Sequence, residues 1–286
     1  MRRRANSAFH AVSAAFAVIM ADLIAPRAYA AAPDRCFAVA EAPGAPSLVR
    51  RASAPGQNAL LRLAKLASTE ARLTFIGHST FVIESPAGVR VATDYNDYVR
   101  PPFLPEIVTM NRAHSSHYTD FPDPKIRHIL RGWNPDGGAA NHDISLNDVR
   151  VRNVPTNTRW GDNGSGYGAY GNSIFVFELA DLCIGHLGHL HHTLTDQQLA
   201  QIGQLDVVLV PVDGGYTMDV AGMIEVLKAL RARLIVPMHY FNQFTLNRFL
   251  DRIRNDFPVE MSSVSDIVLS QTTLPREPKI LVLPGN

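Results

Sequence analysis

Apolar and polar positions follow two different rhythms along this chain. Residues 73–76, 80–83 and 89–92 are short runs rich in β-branched and aromatic side chains. The last two flank Ser85-Pro86-Ala87-Gly88, a turn signal, so the three predict an antiparallel meander. Further strands are expected at 106–110, 128–130 and 149–154, the last alternating apolar and polar as a half-buried strand does. Residues 156–172 carry five Gly and predict a long flexible loop, followed by strands at 173–178 and 182–185. A period near 3.6 then appears. Thr195-Asp196-Gln197-Gln198 is a capping box opening a helix to 202, and helices are expected at 217–232 and 245–257. Between and after them lie strands at 206–212, 234–238, 266–269 and 279–283. A short helix is predicted at 58–66. A strand-rich half followed by alternating strands and helices predicts two sheets packed face to face with helices outside, in one α+β domain over 58–286.

The first thirty residues follow neither rhythm. Arg2, Arg3 and Arg4 precede an apolar stretch too short for a comfortable membrane span, ending in Ala28-Tyr29-Ala30. That describes a signal peptide over 1–30, hence a periplasmic or secreted protein with no membrane span after its removal. Residues 31–57, rich in Ala and Pro, read as a flexible lead-in.

Composition narrows the partners. The full chain carries a net charge of +1, and removing residues 1–30 takes away four Arg and one Asp, leaving 23 basic and 25 acidic side chains. No basic excess remains for phosphate neutralisation, so a small-molecule substrate is expected and nucleic acid is not. The two cysteines, Cys36 and Cys183, either pair in an oxidising compartment or stand apart as a free thiol and a small buried hydrophobe.

The densest chemistry follows the strand at 182–185. Residues 186–192 read His-Leu-Gly-His-Leu-His-His, four of the eleven histidines of the chain in seven positions. Imidazole is the commonest ligand for borderline transition metals, and a strand end can aim several side chains at one point. Two other predicted strands also exit into histidine: Met110-Asn111-Arg112-Ala113-His114-Ser115-Ser116-His117 and Pro237-Met238-His239-Tyr240. Loops leaving one edge of a sandwich converge, so these imidazoles can meet around one ion. Asp213-Gly214-Gly215-Tyr216-Thr217 is either a close-approach turn favouring an anion at a helix start or a plain tight turn. Arg159, Trp160, Tyr167 and Tyr170 either line a substrate cleft or cover the sandwich edge.

Taken in order, Ile76-Gly77-His78-Ser79-Thr80-Phe81, Ala92-Thr93-Asp94, the loop from His114 to Asp120, His186-Leu187-Gly188, Val210-Pro211-Val212-Asp213-Gly214-Gly215-Tyr216-Thr217 and Val236-Pro237-Met238-His239-Tyr240 resemble the metallo-β-lactamase superfamily. Within it, the likeness is to the branch that includes ascorbate-6-phosphate lactonase and N-acyl-phosphatidylethanolamine phospholipase D. The resemblance implies a four-layer αββα sandwich with a metal site at one edge, usually zinc, with Mn²⁺ or Fe as alternatives. It makes His114, His117, His189 and His239 the metal ligands, and places Asp94 and His78 beside them. Metal-bound water would then attack an ester, lactone or phosphodiester, with Asp120 or Asp94 handling the proton. Asp120 could also be a further ligand or only cap its loop.

The departures from the family pattern are specific. The first loop lacks the full His-x-His-x-Asp-His, and His189 stands where a bridging aspartate is expected. A neutral imidazole cannot join two cations as a carboxylate does, so one zinc is expected rather than two. The competing expectation is a non-catalytic metal-binding or sensing protein that keeps the fold with an altered site.

Overall fold

The computed structural model describes residues 36–37, 65–158 and 168–285, all within the unit Ala31–Asn286. The expected signal peptide, nearly all of the lead-in, the body of the helix at 58–66, and Arg159, Trp160 and Tyr167 lie outside the described residues.

Six strands form one sheet: β1 (Ala71–Gly77), β2 (Thr80–Glu84), β3 (Arg90–Ala92), β4 (Ile107–Met110), β5 (His128–Arg131) and, from the far end of the chain, β13 (Asp266–Leu269). Their order is β13-β1-β2-β3-β4-β5. The expected meander is present in β1, β2 and β3, whereas β3, β4 and β5 run parallel. The second sheet contains eight strands: β6 (Asp143–Leu146), β7 (Val149–Thr158), β8 (Gly168–Leu179), β9 (Leu182–His186), β10 (Val207–Pro211), β11 (Leu234–Met238), β12 (Val259–Met261) and β14 (Lys279–Val282). Its order is β12-β14-β11-β10-β9-β8-β7-β6, with β9, β10, β11, β14 and β12 parallel.

Alternation decides which face each side chain occupies. Phe75, Phe81, Val91 and Ile107 of the first sheet pack against Phe175, Phe177, Ile184, Leu209 and Val236 of the second. The intervening positions of the second sheet, among them Val176, Val208, Val210 and Ile235, point the other way into α1 (Asp196–Ile202), α2 (Val220–Leu230) and α3 (Gln243–Ile253). A continuously apolar strand such as β10 is therefore buried on both faces, as central parallel strands are. This is the α+β architecture of two sheets with outer helices. Among the described residues the helices cover the eight-stranded sheet, and loop residues Tyr95, Ile126 and Trp133 pack with Val108 and Met110 on the six-stranded one.

Several boundaries differ from the sequence reading. Of the expected loop at 156–172, residues 156–158 and 168–172 are strand: β7 runs to Thr158 and β8 begins at Gly168, paired from Arg150 with Glu178 to Thr158 with Gly168, and residues 159–167 lie outside the described residues. α2 starts at Val220 rather than 217, because Asp219 caps it by accepting from the N–H groups of Ala221 and Gly222. β6 and β12 were not anticipated; each is three or four residues long and largely exposed, so neither shows an apolar run.

The cysteines pair. Cys36 and Cys183 form a disulfide with Cα atoms 5.8 Å apart, and the Gln204 N–H donates to the Cys36 carbonyl at 2.7 Å. Phe37 lies under the Arg152 guanidinium, 4.5 Å from the ring centre. No helix of the described residues is long and apolar enough to cross a membrane.

Candidate metal centre

The C-terminal ends of parallel strands in both sheets open onto one place. Asp94 follows β3, His114 and His117 follow β4, His189 follows β9, Asp213 follows β10 and His239 directly follows β11. One ligand nitrogen from each of His114, His117, His189 and His239 lies within 4.8 Å of all the others. The last three rings are buried and His114 is half-buried.

Each of the four rings is anchored through Nδ1, which turns Nε2 toward the shared centre. His117 Nδ1 lies 2.6 Å from Asp94 Oδ2, and His239 Nδ1 lies 3.0 Å from Asp213 Oδ1. His189 Nδ1 meets His191 Nε2 at 2.7 Å, and His114 Nδ1 meets Ser116 Oγ at 2.7 Å. Ser116 Oγ in turn lies 2.9 Å from His78 Nε2. A carboxylate can only accept from a ring N–H, so the protons of His117 and His239 sit on Nδ1 and their Nε2 atoms carry bare lone pairs. Those two Nε2 atoms are nonetheless 3.0 Å apart, as are the Nε2 atoms of His114 and His189. Lone pairs facing at that distance repel unless a cation lies among them. The donor set therefore fits a metal ion.

Electrostatics point the same way. Burial holds the imidazoles of His114, His117 and His189 below the ordinary histidine range, His117 and His189 well below it, with neighbouring imidazoles adding to the effect. Neutral rings are the ligating form. Asp213 is held below the usual carboxylate range even though burial works against ionisation, because it accepts from His239, Thr217 and the Gly215 backbone. Burial raises Asp94, opposed by His186 and by hydrogen bonds from Asn111 and Ser79. Two buried carboxylates thus stand directly behind two of the four imidazoles, Asp94 behind His117 and Asp213 behind His239.

The local backbone is adapted to this arrangement. His78, Asp94 and His239 have positive φ values of 51°, 42° and 56°, an unusual conformation for non-glycine residues that clusters at functional sites. The His239 N–H donates to the His78 carbonyl at 2.7 Å, tying the first sheet to the second. Gly188, at φ +59°, lets the loop pass between Asn111 and Asn172; a Cβ there would sit 2.4 Å from each amide. Asn111 bridges the Asp94 carboxylate and the Ser173 N–H, and Asn172 accepts from the His189 N–H.

The remaining expected site residues fall in different places. His78 lies beside the ligands, its ring 4.3 Å from His239, and burial with the neighbouring imidazole lowers it to about 4. Asp94 is fully buried behind His117, an orienting position rather than one open to substrate. Asp120 is exposed and stands outside both the ligand group and the lining of the adjacent cavity, so the ligand and proton-handling roles expected of it have no geometric support. The inward-facing side chain of that stretch is Thr119, which donates to Asp97. His186 lies 2.9 Å through Nε2 from the Ser79 carbonyl and accepts the Gly188 N–H at Nδ1, which leaves no free nitrogen for a metal. His192 is likewise engaged, by the Asn157 N–H and the Thr193 carbonyl.

Asp213 was missed as a site residue. Its carboxylate accepts from the N–H groups of Gly215, Tyr216 and Thr217 and from the Thr217 hydroxyl, so the Asp-Gly-Gly segment is a tight turn rather than an anion cradle. The same carboxylate orients His239. A cavity of about 270 Å³ opens beside the centre, lined by His114, His189, His191, Ala113, Thr158 and Tyr216 among others.

The chain is similar to known proteins. The family model described as a beta-lactamase superfamily domain matches residues 72–239, more than half of the chain. A metal-dependent hydrolase of Ignicoccus hospitalis is 26% identical over 201 residues, covering 60% of this chain and 83% of that protein. A metal-dependent hydrolase of Salinibacter ruber is 23% identical over 211 residues, covering 65% and 91%. Among solved structures, a metallo-β-lactamase superfamily protein of Thermotoga maritima superposes with a TM-score of 0.54 at 25% identity, covering 74% of this chain and 98% of that one.

Proposed function

The chain belongs to the metallo-β-lactamase superfamily, and from that premise we propose that it is a metal-dependent hydrolase holding one zinc ion on His114, His117, His189 and His239. The carrying observation is the inward convergence of four Nε2 atoms, each ring fixed from behind at Nδ1. The relatives described as metal-dependent hydrolases support the activity class. An all-imidazole donor set suits zinc and its borderline neighbours better than magnesium, calcium or manganese, which favour oxygen ligands. When bound, such an ion lowers the pKa of a coordinated water and polarises an ester, lactone or phosphodiester.

The protein's own groups set up that chemistry. Asp94 and Asp213 hold the Nδ1 protons of His117 and His239, fixing tautomer and ring direction. Ser116 joins His114 to His78, so an imidazole that is neutral at physiological pH stands beside the ligands as a hydrogen-bonding group. The half-buried His114 faces the cavity, where a small-molecule substrate reaches the centre.

A second reading, a non-catalytic metal-binding protein, has one observation in its favour: four protein ligands are the number that fills a structural zinc site. Assaying the purified protein on a panel of esters, lactones and phosphodiesters, with and without a chelator, separates the two. Hydrolysis lost on chelation and restored by zinc supports the hydrolase. Tightly bound zinc with no chelator-sensitive turnover on any of the panel supports the other.

We further propose export to the periplasm or the exterior with cleavage after Ala30. The disulfide between Cys36 and Cys183 supports this, since such bonds persist in oxidising compartments. The intact mass of the protein recovered from the periplasm is expected to begin at Ala31; a cytoplasmic full-length chain would exclude it.

A further inference from the structure

Two exposed aromatic rings stand over the centre. Tyr216 is 66% exposed and Phe241 54%, and their rings meet edge to face with centres 5.3 Å apart. Phe241 lies 5.5 Å from the ring of His239 and 5.8 Å from that of His78, while Tyr216 lies 6.5 Å from His114. A molecule approaching the metal ligands from this side passes against both rings.

Their placement is set by the site itself. Asp213 accepts the Tyr216 N–H and, through its other oxygen, faces His239, two residues before Phe241. The Arg248 guanidinium is held on the Asp213 carbonyl. The backbone that carries Tyr216 is therefore anchored by the same carboxylate that aims a ligand, Phe241 follows that ligand by two residues, and the ring pair leaves apolar surface in water. Among the described residues, the lining of the cavity beside it includes no Lys, Arg, Asp or Glu. Among those described lining residues an anionic substrate group finds no ion partner, whereas an alkyl or aryl group finds a ring pair beside the cavity ready to cover it.

We infer that Tyr216 and Phe241 form the specificity platform of this site, taking the apolar alkyl or aryl portion of a neutral ester or lactone. The inference rests on the hydrolase reading and names its substrate class.

The test uses zinc-loaded mature protein, Y216A, F241A and the double variant, with zinc content measured for each. Two probe pairs are compared: 4-nitrophenyl octanoate against acetate by kcat/KM, and octanohydroxamate against acetohydroxamate by calorimetric Kd. The parent is expected to prefer the eight-carbon member of each pair, and the preference to fall about tenfold in the double variant at unchanged zinc content. Equal preference for short and long chains in the parent, or a preference that survives both substitutions, overturns the inference. So does faster turnover of bis(4-nitrophenyl) phosphate than of either ester. If neither ester is hydrolysed but the hydroxamate preference is present and lost in the double variant, the platform stands and the hydrolase reading falls.

Discussion

At the residue scale the centre depends on groups that never touch the ion. Asp213 fixes the Nδ1 proton of His239 and folds its own turn, so one carboxylate sets both a ligand and the rim beside it. Asp213→Asn keeps the shape but offers an amide that need not accept the ring proton. Zinc affinity, measured by competition with a chromophoric chelator, is expected to fall about 10- to 100-fold, the usual cost of losing such a partner. Wild-type affinity in the variant would show that the turn alone positions His239.

The buried imidazoles also give the metal-free protein a pH signature. Five of them, His78, His114, His117, His186 and His189, are held below the ordinary value of 6.5, so below that pH the unfolded chain binds protons that the folded chain refuses. Stability is then unaffected above the unfolded value and declines as pH falls from about 6.5 toward 4, the value His78 reaches. Asp94, held above the carboxylate range, works in the opposite direction, but it is one group against five. Asp213, held low, contributes stability above the unfolded carboxylate value that is lost only at more acid pH. Urea midpoints of chelator-treated protein are expected to hold level down to about pH 6.5 and to fall from there toward pH 4; a flat profile would contradict the burial of these rings. The four converging imidazoles were legible in the sequence because each follows an apolar strand. Asp213 was not, because Asp-Gly-Gly looks like any turn and its partner His239 lies 26 residues away.

At the element scale, local signals survived best where they were self-contained. The Thr195 capping box is present in full, the Gln198 N–H donating to Thr195 Oγ1 and the Gln198 side chain accepting from the Thr195 N–H. Thr195→Ala is expected to cost about 1 kcal/mol in equilibrium unfolding, and an unchanged midpoint would mean that α1 is held by packing alone. Elements defined by distant partners were harder to read. Thr156 and Thr158 look like loop, yet they pair with Asn172 and Gly168, and only the facing strand makes them part of β7. β12 becomes a strand only because β14 supplies a parallel neighbour.

At the scale of the whole molecule, the two sheets bring together ligands up to 125 residues apart, His114 and His239, because β4 and β11 both end at the same edge. The disulfide acts at this scale too, closing 147 residues of sequence separation. Replacing Cys36 and Cys183 by Ser is expected to lower stability by about 2–4 kcal/mol, read from denaturant unfolding, while leaving zinc content unchanged because neither sulfur reaches the centre. Lost zinc binding in the double variant would instead couple the Cys36 segment to the metal site.

Binding of one zinc by four imidazoles is tested most directly by zinc titration of the chelated protein with elemental analysis. Bound zinc is expected to saturate at one equivalent per chain, hydrolytic activity to rise in proportion and stop there, and His189→Ala to lose tight binding. Saturation at two equivalents, or full zinc content in the His189→Ala variant, would contradict it.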